Sequence, residues 1–134
     1  MQIEGVDFFN TFAPVVQWAT VCLMLNLRIM LGLESVQVYY VSAFCQPPIH
    51  EDVYVELSQG WQTLNKIGIE EDFKKDHVLK LNQSLYGLRQ SPRNFFLFLK
   101  GNLEKAGFRQ SKMDPCLFVS EKVVCCVYVD EERY

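Results

Sequence analysis

Two adjacent carboxylates, Asp130 and Glu131, follow an almost wholly apolar run at residues 123–129. The β-branched and aromatic residues of this run favour a buried strand, so we expect both acids at its end. Paired carboxylates in such a place are unstable unless a cation neutralises them, and Mg²⁺ prefers oxygen ligands of this kind. The pattern therefore predicts either a Mg²⁺ site or, as the simpler alternative, a core strand that ends in a solvated acidic turn.

Basic residues are concentrated in the middle of the chain. The formal net charge is −3, which by itself argues against a nucleic-acid partner. Residues 74–112, however, contain nine lysines and arginines and only two acidic residues. Charge attraction is local, with a screening length of about 10 Å at ordinary salt, so this basic segment can follow phosphates in an acidic chain. The alternative is a solvated helix face rich in lysine.

Length and composition indicate one globular domain. The chain has 134 residues, of which 49% are hydrophobic and 22% charged, and its apolar runs are too short to span a bilayer. The N-terminus lacks the pattern of a signal peptide, so we expect an intracellular protein, cytoplasmic or nuclear, that is not secreted. The five cysteines have no metal-ligand spacing, which favours buried reduced thiols.

The pattern of elements predicts an α+β fold. A run rich in Leu and Met, from about Trp18 to Leu31 with Gly32 as the residue after its end, predicts a largely buried helix. Residues 36–43 and 52–57 are predicted as two strands around the loop that contains Pro47 and Pro48. The remaining predictions before the second helix are a polar surface excursion at 58–76 and a short strand at 78–81.

The second helix has clear sequence signals. Ser91 is a suitable N-cap and Pro92 suits the first helical position, while Gly107 predicts the end. An apolar stripe at helical spacing predicts the buried face: Phe95, Leu99, Leu103 and Ala106. A hairpin of strands at 117–119 and 123–129 follows and carries the two acids at its end.

Residues 84–93, with the sequence Ser-Leu-Tyr-Gly-Leu-Arg-Gln-Ser-Pro-Arg, resemble the segment between fingers and palm of copia-type retrotransposon reverse transcriptases. Other stretches agree in the same order, at 11–16, 42–44, 53–56, 107–118 and 128–130. The resemblance implies fingers plus a partial palm, in which an antiparallel sheet is packed by helices. It further implies that residues 1–134 form a single incomplete, degenerate reverse transcriptase domain of a Pol polyprotein, without thumb and RNase H.

The resemblance also assigns catalytic and metal-binding residues. The family holds Mg²⁺ with three aspartates, and Asp130 and Glu131 match the adjacent pair, with glutamate in place of the second aspartate. Tyr39 stands where the third aspartate belongs. A phenol with a pKa near 10 stays neutral and is a poor ligand for a hard cation. We therefore expect impaired Mg²⁺ binding and no polymerisation.

The implied partners are an RNA or DNA template-primer and a dNTP. Phe44 matches the aromatic residue that stacks under the incoming sugar, although core packing is the alternative for such a residue. Gly87 and Arg89 match positions near the nucleotide, and Arg93 and Lys100 are predicted to contact nucleic acid. Two interpretations remain open: an inactive reverse transcriptase fragment, and a non-catalytic remnant that binds nucleic acid through residues 74–112. The oligomeric state is left open.

Overall fold

The computed structural model describes residues 2–57 and 77–129, and their fold is α+β, as predicted. The helices are α1 (Trp18–Leu31), a short 3₁₀ helix (Ala43–Cys45) and α2 (Ser91–Lys105). The strands are β1 (Tyr54–Glu56), β2 (Val78–Lys80), β3 (Arg109–Gln110), β4 (Leu117–Val119) and β5 (Val124–Cys126). The predicted excursion at 58–76 and the two acids at 130–131 lie outside the described residues.

The hydrophobic core lies between α2 and the antiparallel sheet β3-β4-β5. Phe95 and Leu99 are buried, as the stripe predicted, and Phe96 is buried with them. Ala106, also predicted on this face, is exposed. The other members of the core come from the hairpin and from the segment before α1: Ala13, Cys116, Phe118, Val127 and Val129. The predicted helix and hairpin therefore form the core of the described chain.

The strands β1 and β2 form a separate antiparallel pair, in which Val55 lies opposite Leu79. Both strands were predicted, and a further strand was predicted at 36–43. That prediction of a strand at 36–43 is wrong. The stretch has no strand hydrogen bonds, and its Val36, Val38 and Val41 side chains are exposed. β-Propensity produces a strand only where a partner strand accepts the backbone hydrogen bonds.

Helix α1 has the predicted bounds and ends at Gly32, which adopts the left-handed conformation with φ 61°. The prediction that it is largely buried is wrong, because Thr20 is its one buried residue. Trp18, Ile29 and Met30 are exposed. Apolar residues surround this helix on all sides, so a single contact with the rest of the described chain leaves most of them uncovered. In that part of the chain no helix is long and apolar enough to cross a membrane.

Two smaller predictions also need correction. Helix α2 begins at Ser91, with Gln90 as its N-cap, and the Ser91 hydroxyl donates to the Leu85 carbonyl instead of capping the helix. All five cysteines are free thiols, but Cys116 alone is buried, while Cys22 and Cys126 are exposed. Burial, the charge of Asp114 and neighbouring Cys126 raise the pKa of the Cys116 thiol to about 12, so this thiol stays protonated.

Candidate nucleotide and nucleic-acid site

The apolar run before the predicted catalytic pair contributes two buried side chains to the core. Strand β5 pairs with β4, and beyond it the Val127 N–H donates to the Cys116 carbonyl at 2.8 Å. Val127 and Val129 are buried, while Tyr128 between them is exposed. Strand β5 thus confirms the central part of the strand predicted at 123–129, but the prediction that the run is buried holds for only part of it, because Val123, Val124 and Tyr128 are exposed. Asp130 and Glu131 follow outside the described residues, and their role stays a prediction.

Tyr39 lies in the extended stretch that precedes the 3₁₀ helix. Its side chain is 88% exposed. The next residue, Tyr40, turns the other way and packs the edge of its ring against Phe95 of α2, with centroids 5.6 Å apart. The backbone at residue 39 therefore passes close to the core, but the phenol itself faces solvent.

Phe44 is brought next to the segment at 84–93. Its ring lies 5.0 Å from that of Tyr86 and 6.1 Å from that of Phe95, measured between centroids. The preceding Ser42 has a φ of 53°, which is unusual for a residue with a side chain and turns the chain into the 3₁₀ helix. The structure thus joins two predicted nucleotide-binding regions, with Phe44 half-buried between a loop and the core.

Buried polar side chains hold the loop at 84–93 in place. Ser84 accepts a hydrogen bond from the Asn94 side chain at 3.0 Å. Gln90 is fully buried, and its Nε2 donates to the Asp7 carbonyl while its Oε1 accepts from Gln2, both at 2.9 Å. Because buried polar groups are costly unless they are paired, these bonds select one conformation of the loop.

Gly87 and Arg89 lie on the exposed side of this loop. Gly87 has a φ of 88°, a conformation that favours glycine, and a Cβ added there would meet no atom within 4 Å. The Arg89 N–H donates to Oε1 of Gln2 at 2.9 Å. Its guanidinium carbon lies 5.4 Å from the centroid of the buried Phe8 ring. Gly87 therefore has open space beside it, and the Arg89 guanidinium lies over an aromatic ring.

The predicted nucleic-acid residues of α2 differ in their surroundings. Lys100 Nζ lies 3.8 Å from Oε1 of Glu104, one turn further along the helix. Arg93 is half-exposed and has no ion pair within the described ranges. Lys80 is paired with Asp52 at 2.5 Å, and both side chains are largely exposed. Lys74 and Lys75 lie outside the described residues, so the structure describes part of the basic segment.

Comparison with known proteins decides the family. Residues 1–132 match the family described as reverse transcriptase (RNA-dependent DNA polymerase). The chain belongs to this family. It is 31% identical, over 97% of its length, to the retrovirus-related Pol polyprotein from transposon TNT 1-94 of Nicotiana tabacum, and equally so to that from transposon RE1 of Arabidopsis thaliana. It is 28% identical, over 91% of its length, to the transposon Ty1-H Gag-Pol polyprotein of Saccharomyces cerevisiae.

These relatives are copia-type Pol polyproteins, and the chain is a reverse transcriptase fragment of that type. It spans 10% of the tobacco protein, 9% of the Arabidopsis protein and 6% of the yeast protein. No solved structure matches the chain. The family assignment therefore rests on sequence, and the described fold adds the positions of the side chains.

Reverse transcriptases generally use Mg²⁺, but the described residues of this chain do not fit such a site. Position 39 offers an exposed neutral phenol, and across residues 2–57 and 77–129 no group of three or more His, Cys, Asp and Glu side chains could hold a metal. A hard divalent cation needs several oxygen ligands, most of them carboxylates. The described residues therefore do not provide a Mg²⁺ site by themselves, and the part played by Asp130 and Glu131 stays a prediction.

Sequence reasoning missed Asp114, which connects this reverse transcriptase core to α1. The carboxylate is 2% exposed and accepts hydrogen bonds from the Thr20 hydroxyl and from the N–H groups of Gln17 and Cys116. Burial raises the pKa of this carboxyl, but the three hydrogen bonds outweigh burial, so its pKa lies below the usual value. A carboxylate at this helix N-terminus also interacts favourably with the helix dipole.

Gln2, Phe8 and Gln90 were also missed as partners of the predicted site. Gln90 belongs to the segment that carries the family resemblance, and a glutamine beside an N-cap could have been noticed as a buried hydrogen-bonding group. Gln2 and Phe8 gave no local signal, because they contact Arg89 and Gln90 across more than 80 residues of chain.

Proposed function

We propose that this chain is a fingers and partial-palm segment of a copia-type reverse transcriptase that binds nucleic acid and does not itself catalyse DNA synthesis. The proposed absence of DNA synthesis rests on Tyr39. A neutral, solvent-facing phenol replaces the carboxylate that would bridge two metal ions. Without that ligand, two Mg²⁺ ions cannot be held at the spacing that polymerisation requires.

The placement of basic side chains supports nucleic-acid binding. Arg89, Lys105, Arg109 and Lys112 are exposed, and Arg93 and Lys100 are half-exposed. Of these, Lys100 is the one with a carboxylate partner in the described part of the chain. Unpaired exposed cations release counterions when they meet phosphates, which makes binding favourable and dependent on salt. Phe44 and Tyr86 add aromatic rings beside the loop that carries Arg89.

The absence of polymerisation is tested directly. The chain is incubated with a primed RNA template, the four dNTPs and either Mg²⁺ or Mn²⁺, and primer extension is followed on a gel. We expect no extension. Clear incorporation by the unmodified chain would show that Tyr39 does not abolish the metal site.

Nucleic-acid binding is tested with a labelled single-stranded RNA at two salt concentrations. We expect retention at low salt that falls as salt rises, and a large loss after Arg89→Ala combined with Arg93→Ala. Lys122→Ala is the matched control, because Lys122 is an exposed cation outside the basic segment. If the double variant binds as tightly as the unmodified chain, binding does not depend on Arg89 and Arg93, and the proposed role of the basic segment fails.

A further inference from the structure

The N-terminal segment forms a compact turn against the loop that carries Arg89. Asp7 accepts the Ile3 N–H at 2.7 Å through its carboxylate, and the Gly5 N–H donates to the Phe8 carbonyl at 2.9 Å. These bonds fix the position of Phe8, whose ring is buried beneath the Arg89 guanidinium. The support under Arg89 is therefore a folded element rather than a loose terminal chain.

Two glutamines attach the same turn to the loop. Gln90 donates to the Asp7 carbonyl and accepts from Gln2, and Gln2 accepts the backbone N–H of Arg89. The backbone of Arg89 and the ring under its side chain are thus fixed to one another by a closed set of hydrogen bonds. A long flexible cation on an exposed loop would otherwise lose much of its freedom on binding a ligand.

The geometry leaves one part of the Arg89 guanidinium available. One face lies over the Phe8 ring, and none of its N–H donors has a hydrogen-bond partner among the described residues. A guanidinium with a covered face recognises anions through its edge, where paired N–H groups match the oxygens of a phosphate. Because these N–H donors remain unpaired with protein groups in the described ranges, phosphate is the ligand that this arrangement favours.

We propose that Phe8 is a positioning residue, which holds Arg89 with its N–H edge ready for a phosphate oxygen of bound nucleic acid or nucleotide. This inference rests on the nucleic-acid binding proposed above and adds a residue to it. Phe8 does not touch the ligand. It acts through Arg89. The hydrogen bonds of Gln2 and Gln90 fix the position of the ring relative to the guanidinium.

A double-mutant cycle on the full chain separates positioning from a structural role. Binding of single-stranded RNA is measured for the unmodified chain, Phe8→Leu, Arg89→Ala and the double variant. We expect Phe8→Leu to weaken binding about two- to five-fold when Arg89 is present and to have no effect when Arg89 is absent. Arg89→Ala should also lower the salt slope by about one. Equal losses in both backgrounds would overturn the positioning role and leave the binding function intact.

Further variants separate an effect on RNA binding from an effect on folding. Phe8→Tyr keeps a ring and should restore binding, while Phe9→Leu changes an exposed neighbour and should have no effect. If Phe8→Leu unfolds, Arg89→Lys tests the same stack without disturbing a buried residue. It keeps the charge but loses the planar group, and we expect about the same two- to five-fold loss. Unchanged binding by Arg89→Lys would contradict the proposal.

A second arm replaces RNA with a nucleoside triphosphate. Coupling between Phe8 and Arg89 with RNA alone identifies the nucleic-acid backbone as the source of the phosphate, and coupling with the triphosphate alone identifies the nucleotide. Either result supports the positioning role. If the unmodified chain binds neither ligand at low salt, the proposed binding function and this inference both fail.

Discussion

Two apolar regions of this chain have opposite relations to solvent. The core unit, made of Ala13, α2 and β3–β5, buries its large apolar side chains around Phe118. The apolar arm, made of α1 and residues 32–41, exposes most of its own. Apolar content therefore does not decide burial. In α2 the apolar residues form a stripe that meets the sheet, whereas in α1 they surround the helix and no single contact can cover them.

The two regions are also held by different forces. Side-chain packing holds the core unit together, and a buried carboxylate, Asp114, connects it to the start of the arm through Gln17 and Thr20. Packing energy grows with buried area, while a hydrogen-bonded carboxylate acts at one point and depends on pH.

The largest effect is expected at the centre of the core unit. Phe118 is fully buried, so Phe118→Ala should lower the free energy of unfolding by about 3–5 kcal/mol. Phe12→Ala is the matched control, because Phe12 is 78% exposed and should change the free energy by less than about 0.5 kcal/mol. Urea denaturation followed by circular dichroism measures both. Similar losses of stability for the two variants would mean that Phe118 is not packed at the centre of the core.

The next effect concerns the connection between the two regions. Asp114→Ala removes the acceptor of three hydrogen bonds and leaves buried donors unpaired, which should cost about 2–3 kcal/mol. Asp52→Ala removes an exposed carboxylate and should leave the unfolding midpoint almost unchanged. A loss of helix signal before the main transition would show that α1 separates first. Equal midpoints for the two variants would refute the role of Asp114.

The same carboxylate predicts a dependence of stability on pH. Its pKa in the folded state is lowered, so its contribution is fully present above its unfolded pKa of about 3.9 and is lost as pH falls through the lower folded value. The difference in unfolding free energy between the unmodified chain and Asp114→Asn should therefore be constant near neutral pH and shrink below about pH 4. A difference that persists at low pH would contradict the lowered pKa.

The sequence predicted the core unit well because its signals are local. The apolar stripe, Pro92 and Gly107 lie within one helix, and the two β runs lie within one hairpin. The apolar arm was predicted poorly. Its helix bounds follow from local residues, but its burial depends on which elements cover it, and the strand expected at 36–43 depends on a partner strand elsewhere.

The residues of the candidate site remain predictions from the family resemblance, and the contacts that hold them in place were not predicted. The family resemblance identified Phe44, Gly87 and Arg89, and the structure brings the loop and Phe44 together. The contacts of Arg89 with Gln2 and Phe8 join residues more than 80 positions apart. No periodicity or capping rule contains such pairs, because they arise only when distant segments pack.

A smaller effect on stability is expected at two glycines, Gly87 in the loop at 84–93 and Gly101 in α2. Gly87 has a positive φ, so Gly87→Ala should destabilise by about 1 kcal/mol through backbone strain. Gly101 lies inside α2 with open space around its Cβ position, so Gly101→Ala should stabilise by about 0.4–1 kcal/mol. Thermal unfolding should move in opposite directions for the two variants. A shift in the same direction would show that the loop tolerates a side chain.

The smallest expected effect is in the arm itself. Ile29 is 78% exposed, so Ile29→Ala removes apolar surface that water already covers and should change the unfolding free energy by less than about 0.5 kcal/mol. Leu99→Ala is the counterpart in α2, where the side chain is 6% exposed and the cost should be about 2–5 kcal/mol. Because alanine favours helix more than isoleucine does and little packing is lost at this exposed site, we expect the midpoint to stay the same or rise slightly. A cost at Ile29 equal to that at Leu99 would mean that the arm is buried in solution, and the contrast between the two regions would then disappear.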